Sequence, residues 1–350
     1  MFDINDFNDD NVWDLICEGR TKGVFQLESN LGRHWAKKVS PRSINELAAL
    51  LSLIRPGCLK AYKDGKSMTQ HYADRKANLD PVVYEHESIE PILKETYGVL
   101  VYQEQSMMMA QKLAGFDLKE ADGLRKAIGK KKADLMEQVK KSFLEGAEKQ
   151  GIVNKEIAEE IFSWIEKSNR YAFNKSHSTC YALIAYQTAY LKAHYPSELM
   201  ASLLTNHMRD IKDITYFMEE CKRMGVLVLG PDVNESFYKF AVNEKGEIRF
   251  GLGAVKGVGE GAVEAIVVER KEGKYTAFDD FVKRVDLRSA NKRTLESMVC
   301  SGGFDSFELK RSQYFAKEDS GQTYLEKMIK FGNKVKDSAN SNQFDMFGES

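Results

Sequence analysis

The sequence has no apolar run of the ~18–20 residues that a membrane-spanning helix requires. Its longest candidate, Leu183–Leu191, is interrupted by Gln187 and Thr188. The start, Met1-Phe2-Asp3, has neither the basic beginning nor the apolar stretch of a signal peptide. A cytoplasmic protein without a membrane partner is expected. Cysteine is sparse: Cys17, Cys58, Cys180, Cys221 and Cys300 lie far apart, with no CxxC pair. That spacing excludes a sequence-readable zinc ribbon and argues against a disulfide scaffold, so the cysteines read as reduced packing residues. The 6 His are scattered and form no HExxH. With 6 Pro and 25 Gly in 350 residues, collagen-like and loop-dominated architectures are excluded. Closely spaced carboxylates of the kind two-metal chemistry needs are few. Asp3/Asp6, Asp9/Asp10 and Asp279/Asp280 are the candidates, and none follows an apolar strand that would fix it. They read as helix caps or surface residues, so no metal site and no catalytic residue is assigned to this chain.

What is present describes a folded chain of two or three domains. Hydrophobic residues make up 43%, charged residues 29% and aromatics 11%, enough for a sizeable core and unlike a disordered chain. The net charge of −1 rules out a coat of basic charge, so any nucleic-acid contact must come from local clusters. From Ile44 to His207 the pattern is helical. Leu47, Leu50, Leu51 and Ile54 recur at helix spacing and stop at Arg55-Pro56-Gly57. A Met-rich helix, Ser106–Leu113, is closed by Gly115. Helices follow at Leu118–Ile128, stopping at Gly129, and at Leu135–Gln150, ending at Gly151. Ile157–Trp164, Tyr181–His194, Ser197–Asn206 and Ile214–Met224 complete the series. Then the character changes. Val226–Leu229 is β-like, and Tyr238–Val242 with Glu247–Phe250 reads as a hairpin. Helical pattern returns at Val263–Arg270, Phe278–Val285 and Leu295–Val299, and Asn333–Asn342 reads as a polar linker without periodicity. No internal repeat is present.

Four segments carry chemistry. Arg125, Lys126, Lys130, Lys131 and Lys132 crowd the end of one helix. They form either a phosphate-binding face or a solvated basic helix end whose charge suits the C-terminal dipole. Asn174, Lys175, Ser176, His177, Ser178 and Thr179 precede an apolar helix. Such residues cap a helix, and the same geometry offers free backbone N–H groups to an anion. Lys256-Gly257-Val258-Gly259 sits between two short helical patterns, where its backbone can meet a phosphate in a helix-hairpin-helix arrangement. A dinucleotide-binding loop is the rival, but here a hairpin rather than a buried parallel strand precedes the glycines. Finally, Gln343-Phe344-Asp345-Met346-Phe347 puts apolar residues in a polar tail, either to bind a partner or to fold back on the chain's own core.

Together these segments resemble the bacterial DNA polymerase III alpha subunit, a C-family replicative polymerase. Thr21–Ser29 resembles the stretch linking that family's palm to its fingers. Leu47–Gly57, Glu95–Gln105, Leu124–Lys132, Phe173–Ser178 and Ala185–Pro196 resemble its fingers. The resemblance implies a mainly α fold: a multi-helix fingers domain, then a small α/β helix-hairpin-helix domain, then a flexible tail. The expected bounds are 1–40 for the end of the palm and its connection to the fingers, and 41–215 for the fingers. A clamp-binding-type domain would span 216–310, with its helix-hairpin-helix at 250–270, and a linker with the clamp motif 311–350. Arg125 and Lys126 stand where the family usually has two arginines near the triphosphate, and Lys126 keeps the charge but lacks the bidentate fork. Asn174, Lys175, Ser176 and His177 would line the site of the incoming dNTP. Lys256–Gly259 would hold duplex template-primer DNA, and Gln343–Phe347 would fill pockets on the sliding clamp. Cys58 replaces a common Pro, and Leu31–Trp35 and Lys60–Lys66 diverge, as in a distant or viral member. The palm and its aspartates are expected on another chain or segment, as in a split gene or an excised piece. The chain by itself would then bind no cofactor, with Mg²⁺ entering in the complete polymerase, and would bind DNA without nucleotidyl transfer. The alternative is a non-catalytic DNA-binding and clamp-associated factor derived from a polymerase gene.

Overall fold

The computed structural model describes residues 4, 6–130, 133–168, 171–317 and 321–345. The chain is mainly α-helical, as its periodicity predicts, and divides into two compact units, Met1–His194 and Tyr195–Ser350.

The first unit opens with α1 (Asp10–Cys17), α2 (Asn30–Val39), α3 (Ile44–Leu53) and α4 (Pro56–Lys60). A short β1–β2 hairpin (Tyr62–Lys63 and Lys66–Ser67) leads into α5 (Met68–Lys76) and α6 (Glu90–Leu93). Then come α7 (Gln103–Ala114), α8 (Leu118–Lys130), α9 (Ala133–Gln150), α10 (Lys155–Ser168) and α11 (Lys175–His194). Each of the first three helices has a side-chain N-cap, from Asp9, Ser29 and Ser43. Asp9 and Asp10 thus serve a helix start, as their spacing suggests.

Two cores hold this unit. One packs α11 on α3 through small residues: Ala182, Ala185 and Ala189 are fully buried, as is Leu47, and Ala48 nearly so. Side chains this short let the two backbones approach, and polar groups then lock the pair. The Ser178 hydroxyl donates to the Ala48 carbonyl at 2.6 Å and lies 2.8 Å from the Ser52 hydroxyl. The second core joins α7, α8, α9 and α10 around Met109, Leu113, Leu124, Phe143, Phe162 and Ile165. Of the three adjacent methionines, Met109 is buried and Met108 exposed, as one helical turn requires.

The second unit contains α12 (Pro196–Asn206), α13 (Ile211–Arg223), strands β3 (Val228–Leu229), β4 (Ala241–Val242) and β5 (Ile248–Arg249), then α14 (Glu260–Glu269). It ends with α15 (Phe278–Arg284), α16 (Lys292–Ser301), α17 (Arg311–Tyr314) and α18 (Tyr324–Asp345). The predicted hairpin is present, with Val242 opposite Ile248, and β3 lies parallel on the other side of β5. Because α12 packs on α13 and β4, this unit begins at Tyr195 rather than at 216. Its larger core is an aromatic cluster in which Phe278 meets Phe304 at 5.1 Å and Tyr314 at 4.9 Å.

Four expectations change. Pro56 does not simply end α3; it occupies the first turn of α4, where its missing N–H costs nothing. The end of α8 falls at Lys130, one residue past the expected stop at Gly129. The stretch 333–342 is helical rather than a linker. It contains no Gly or Pro, and α18 is already nucleated by the reciprocal Thr323–Glu326 cap and by packing on α15 and α16. Finally, Cys58 and Cys221 are buried packing residues, but Cys180 and Cys300 are exposed. Among the described residues, no helix is long and apolar enough to cross a membrane.

Candidate nucleotide and nucleic-acid interface

The polar run before the apolar helix is part of that helix. Asn174 is the cap: its Oδ1 accepts the His177 N–H at 2.9 Å, so α11 starts at Lys175 and residues 175–179 form its first turn and beyond. The segment is positioned by a strand-like pairing in which the Phe173 N–H donates to Val101 O and the Gln103 N–H to Phe173 O, each at 3.0 Å. Glu104, in the first turn of α7, closes the arrangement. Its two carboxylate oxygens accept the Lys175 N–H at 3.1 and 3.0 Å, and Oε1 also accepts Asn174 Nδ2 at 3.0 Å. The capping reading holds, and a free N–H of this helix end is taken by a carboxylate of the chain itself. Lys175 Nζ donates to Glu95 Oε1 at 2.5 Å and sits 5.6 Å from the centre of the Tyr102 ring.

A row of rings runs past this N-terminus. The Arg55 guanidinium lies 4.1 Å from the centre of the Phe173 ring, which is 5.2 Å from the His177 imidazole. His177 lies 4.2 Å from Tyr181, and Tyr181 is 5.2 Å from Phe25. Arg55, Ser176 and His177 are exposed; Phe173, Tyr181 and Phe25 are partly so. Faces of this kind stack flat ligands, and an exposed cation at one end suits a phosphate.

The basic segment is separately organised. Among the described residues, Arg125 and Lys126 both turn to Asp122 one turn back: Arg125 Nη2 at 2.7 Å from Oδ1, Lys126 Nζ at 2.6 Å from Oδ2. The Lys126 ammonium, then the Arg125 guanidinium, holds the Asp122 carboxyl below its usual range. Lys130 ends α8, and its side chain lies outside the described atoms, as do Lys131 and Lys132.

In the second unit, a single turn of 3₁₀ helix at Leu252–Ala254 leads to Lys256-Gly257-Val258-Gly259, and Gly259 is the N-cap of α14. Gly257 has φ +91°, a left-handed conformation, and a Cβ there would fall 3.0 Å from Ser297 Oγ. Its carbonyl accepts the Thr294 hydroxyl at 3.3 Å. Val258 is buried in the aromatic-rich core while Lys256, Gly257 and Gly259 are exposed. No side-chain hydrogen bond caps α14 at Gly259. Met346 and Phe347 lie outside the described residues; Gln343, Phe344 and Asp345 form the last turn of α18, and their side chains are not described. Among the described residues, no three His, Cys, Asp or Glu side chains converge as a metal site. Asp279 and Asp280 are instead paired with Lys283 and Arg284 at 2.9 and 3.3 Å.

Residues 2–151 match the family model of the bacterial DNA polymerase III alpha subunit finger domain, and residues 225–314 match a helix-hairpin-helix motif. A finger domain joined to a helix-hairpin-helix domain is the class that fold and sequence define. The DNA polymerase III subunit alpha of Escherichia coli K12 is 43% identical over 304 residues, covering 85% of this chain and 26% of that protein. The Pasteurella multocida protein of the same name is 42% identical over 347 residues, 97% of this chain and 29% of the relative. That of Aquifex aeolicus is 44% identical over 319 residues, 91% and 27%. This chain belongs to the bacterial DNA polymerase III alpha-subunit family, and it spans just over a quarter of the length of these relatives.

Proposed function

We propose that this chain supplies the fingers and the duplex-holding helix-hairpin-helix of a replicative DNA polymerase, working with a palm that carries the metal-binding carboxylates. The observation that supports it best is the α11 N-terminus, where outward cations and stacked rings surround a helix end already bonded to an anion. The base of an incoming dNTP would lie against the His177 and Phe173 rings, and its phosphates would draw on Arg125, Lys126, Lys130, Asn174, Lys175 and Ser176.

Release of these cations from their present carboxylates is inexpensive. Arg125 and Asp122 side chains are 40% and 33% exposed, and ion pairs this accessible contribute ~0.2–1 kcal/mol. A charge-assisted hydrogen bond to a desolvated triphosphate contributes ~1.5–3 kcal/mol. The exchange favours the nucleotide. Lys256 and the first N–H groups of α14 would hold duplex backbone without reading sequence. Gln343–Phe347 would dock on a sliding clamp. On this reading Mg²⁺ and nucleotidyl transfer belong with the palm, and this chain alone would bind primer-template without extending it.

The test is a primer-extension assay with and without a palm-bearing polymerase chain recovered by pull-down from the native host. Extension that needs both chains, and falls at least tenfold with Arg125→Ala or His177→Ala, supports the reading. Extension by this chain alone, or by the pair regardless of these substitutions, overturns it.

A further inference from the structure

The first unit holds a cavity of about 640 Å³ between α4, the β1–β2 hairpin and α10, and none of the residues assigned above lines it. One wall is a single face of α10: Glu160, Ser163, Trp164 and Lys167 follow at spacings of three, one and three, which brings them together on a helix. The facing wall carries Lys60, Tyr62 and Lys63. Tyr171 forms part of the lining because Gly57 has no side chain; a Cβ there would fall 2.4 Å from that of Tyr171. Its volume is within the ~300–1,000 Å³ of ordinary ligand pockets.

The lining has a distinct chemistry. Trp164 offers an indole face only partly covered by protein, and Tyr62 is 70% exposed. Lys63 Nζ sits 5.9 Å from the Trp164 ring centre and donates to Glu85 Oε1 at 2.8 Å. The other oxygen of that carboxylate, Glu85 Oε2, is buried and has no hydrogen-bond partner among the described residues. A buried acceptor left in this state is costly and implies a missing donor. Lys60 and Lys167, both exposed at the rim, have no carboxylate partner among the described residues. Aromatic faces, an unsatisfied acceptor and two free cations match three parts of one ligand: a flat base, an amino group on its edge and a phosphate.

We propose that this cavity takes one unpaired nucleotide of a single-stranded DNA. Its base stacks on Trp164, its exocyclic amino group donates to Glu85 Oε2, and its flanking phosphates meet Lys60 and Lys167. An acceptor-only carboxylate pairs well with the amino group of cytosine, whereas thymine presents no such group. The cavity therefore favours a cytosine over a thymine strand. The reading of the chain as part of a DNA polymerase bears only on where such a strand comes from. A free nucleotide shares the chemistry and is separated from a strand by the test.

The whole chain is titrated with a deoxycytidine dodecamer, a thymidine dodecamer and dCMP, following tryptophan emission and the anisotropy of labelled oligonucleotide. Trp13 and Trp35 are buried at 2% and 7% exposure, so ligand quenching reports on Trp164. Saturable quenching by the deoxycytidine strand is expected, with anisotropy showing about tenfold weaker binding after Trp164→Leu, the scale of one lost base stack. Lys60→Ala with Lys167→Ala, both at exposed positions, lowers the slope of log affinity against log salt by about 1.4. Glu85→Gln narrows the preference for deoxycytidine over thymidine. Equal affinity for dCMP and the strand assigns the site to free nucleotides and overturns the single-strand assignment. Strand binding without quenching, abolished by Gly257→Ala, places all binding at the hairpin and overturns the cavity while leaving the polymerase reading intact. Absence of quenching by any ligand, with the lysine variants unchanged, also overturns it.

Discussion

Glu104 holds the backbone N–H of Lys175 with both carboxylate oxygens, at 3.1 and 3.0 Å, across 71 residues of sequence. The carboxylate thus occupies the position at the α11 N-terminus that a phosphate oxygen would also favour. It serves the fold, and under the proposed function it would also compete with a nucleotide phosphate.

Replacing Glu104 by Gln separates those two roles. The amide keeps one acceptor but loses the charge, so stability falls by about 1 kcal/mol while triphosphate affinity rises. A urea denaturation curve and a dATP titration of the same variant check both halves. Nucleotide affinity that stays level or drops would show that Glu104 is scaffold alone.

Arg125→Ala has the opposite profile. Its partner Asp122 is a surface carboxylate one turn away, so the change in stability stays within about 0.5 kcal/mol. Nucleotide affinity falls at least tenfold, as loss of a charge-assisted pair to phosphate requires. A Tm unchanged together with an unchanged dATP affinity removes Arg125 from the site.

The two hairpin glycines differ in what they tolerate. Gly257→Ala forces a side chain into φ +91° against Ser297 Oγ and costs about 1–3 kcal/mol. Gly259 has open space around its Cβ position and φ −90°, so Gly259→Ala folds with little loss. Both remove smooth backbone from the proposed DNA contact, and duplex binding by anisotropy measures each. Gly259→Ala with wild-type stability and wild-type duplex affinity would argue that the backbone there touches no phosphate.

Acid sensitivity in the second unit has several sources, since Asp279, Asp286, Asp305 and Glu326 are all held below the usual carboxylate range. Lys292, then the Thr323 N–H, holds the Glu326 carboxyl down from 4.5 to about 2. A folded-state pKa below the unfolded one contributes stability that is present above about 4.3 and is lost as pH falls toward 2. Glu326→Gln therefore flattens the fall in stability across that window and lowers stability at neutral pH. Parallel acid-unfolding curves for the two proteins would contradict this.

Much of the fold was legible because local signals set it. Gly115, Gly151 and Gly225, all at positive φ, follow helices where the periodicity ended. The hairpin between β4 and β5 followed from alternation around 243–246. Helix ends set by tertiary packing were not legible: nothing near Asn333 announces that α18 continues, because its support comes from α15 and α16. The site divided in the same way. Asn174 and His177 were visible as a polar run before an apolar helix. Glu104, Glu95 and Arg55, which meet Asn174, Lys175 and Phe173, come from 70 or more residues away, and no spacing rule connects them. Asp122 was the exception, since a carboxylate three and four residues before two cations is a readable helical pairing.

The serine lock between α11 and α3 has a mechanical consequence. Ser178 lies one residue after His177, and Ala48, which it grips, lies on the helix that ends just before Arg55. With alanines on the buried face of α11 and the Ser178 hydroxyl bonded to Ala48 O, neither rod can slide along the other without breaking buried hydrogen bonds. The imidazole and the guanidinium on either side of Phe173 are therefore fixed to a common chassis, and any swing of the fingers carries both through the same arc.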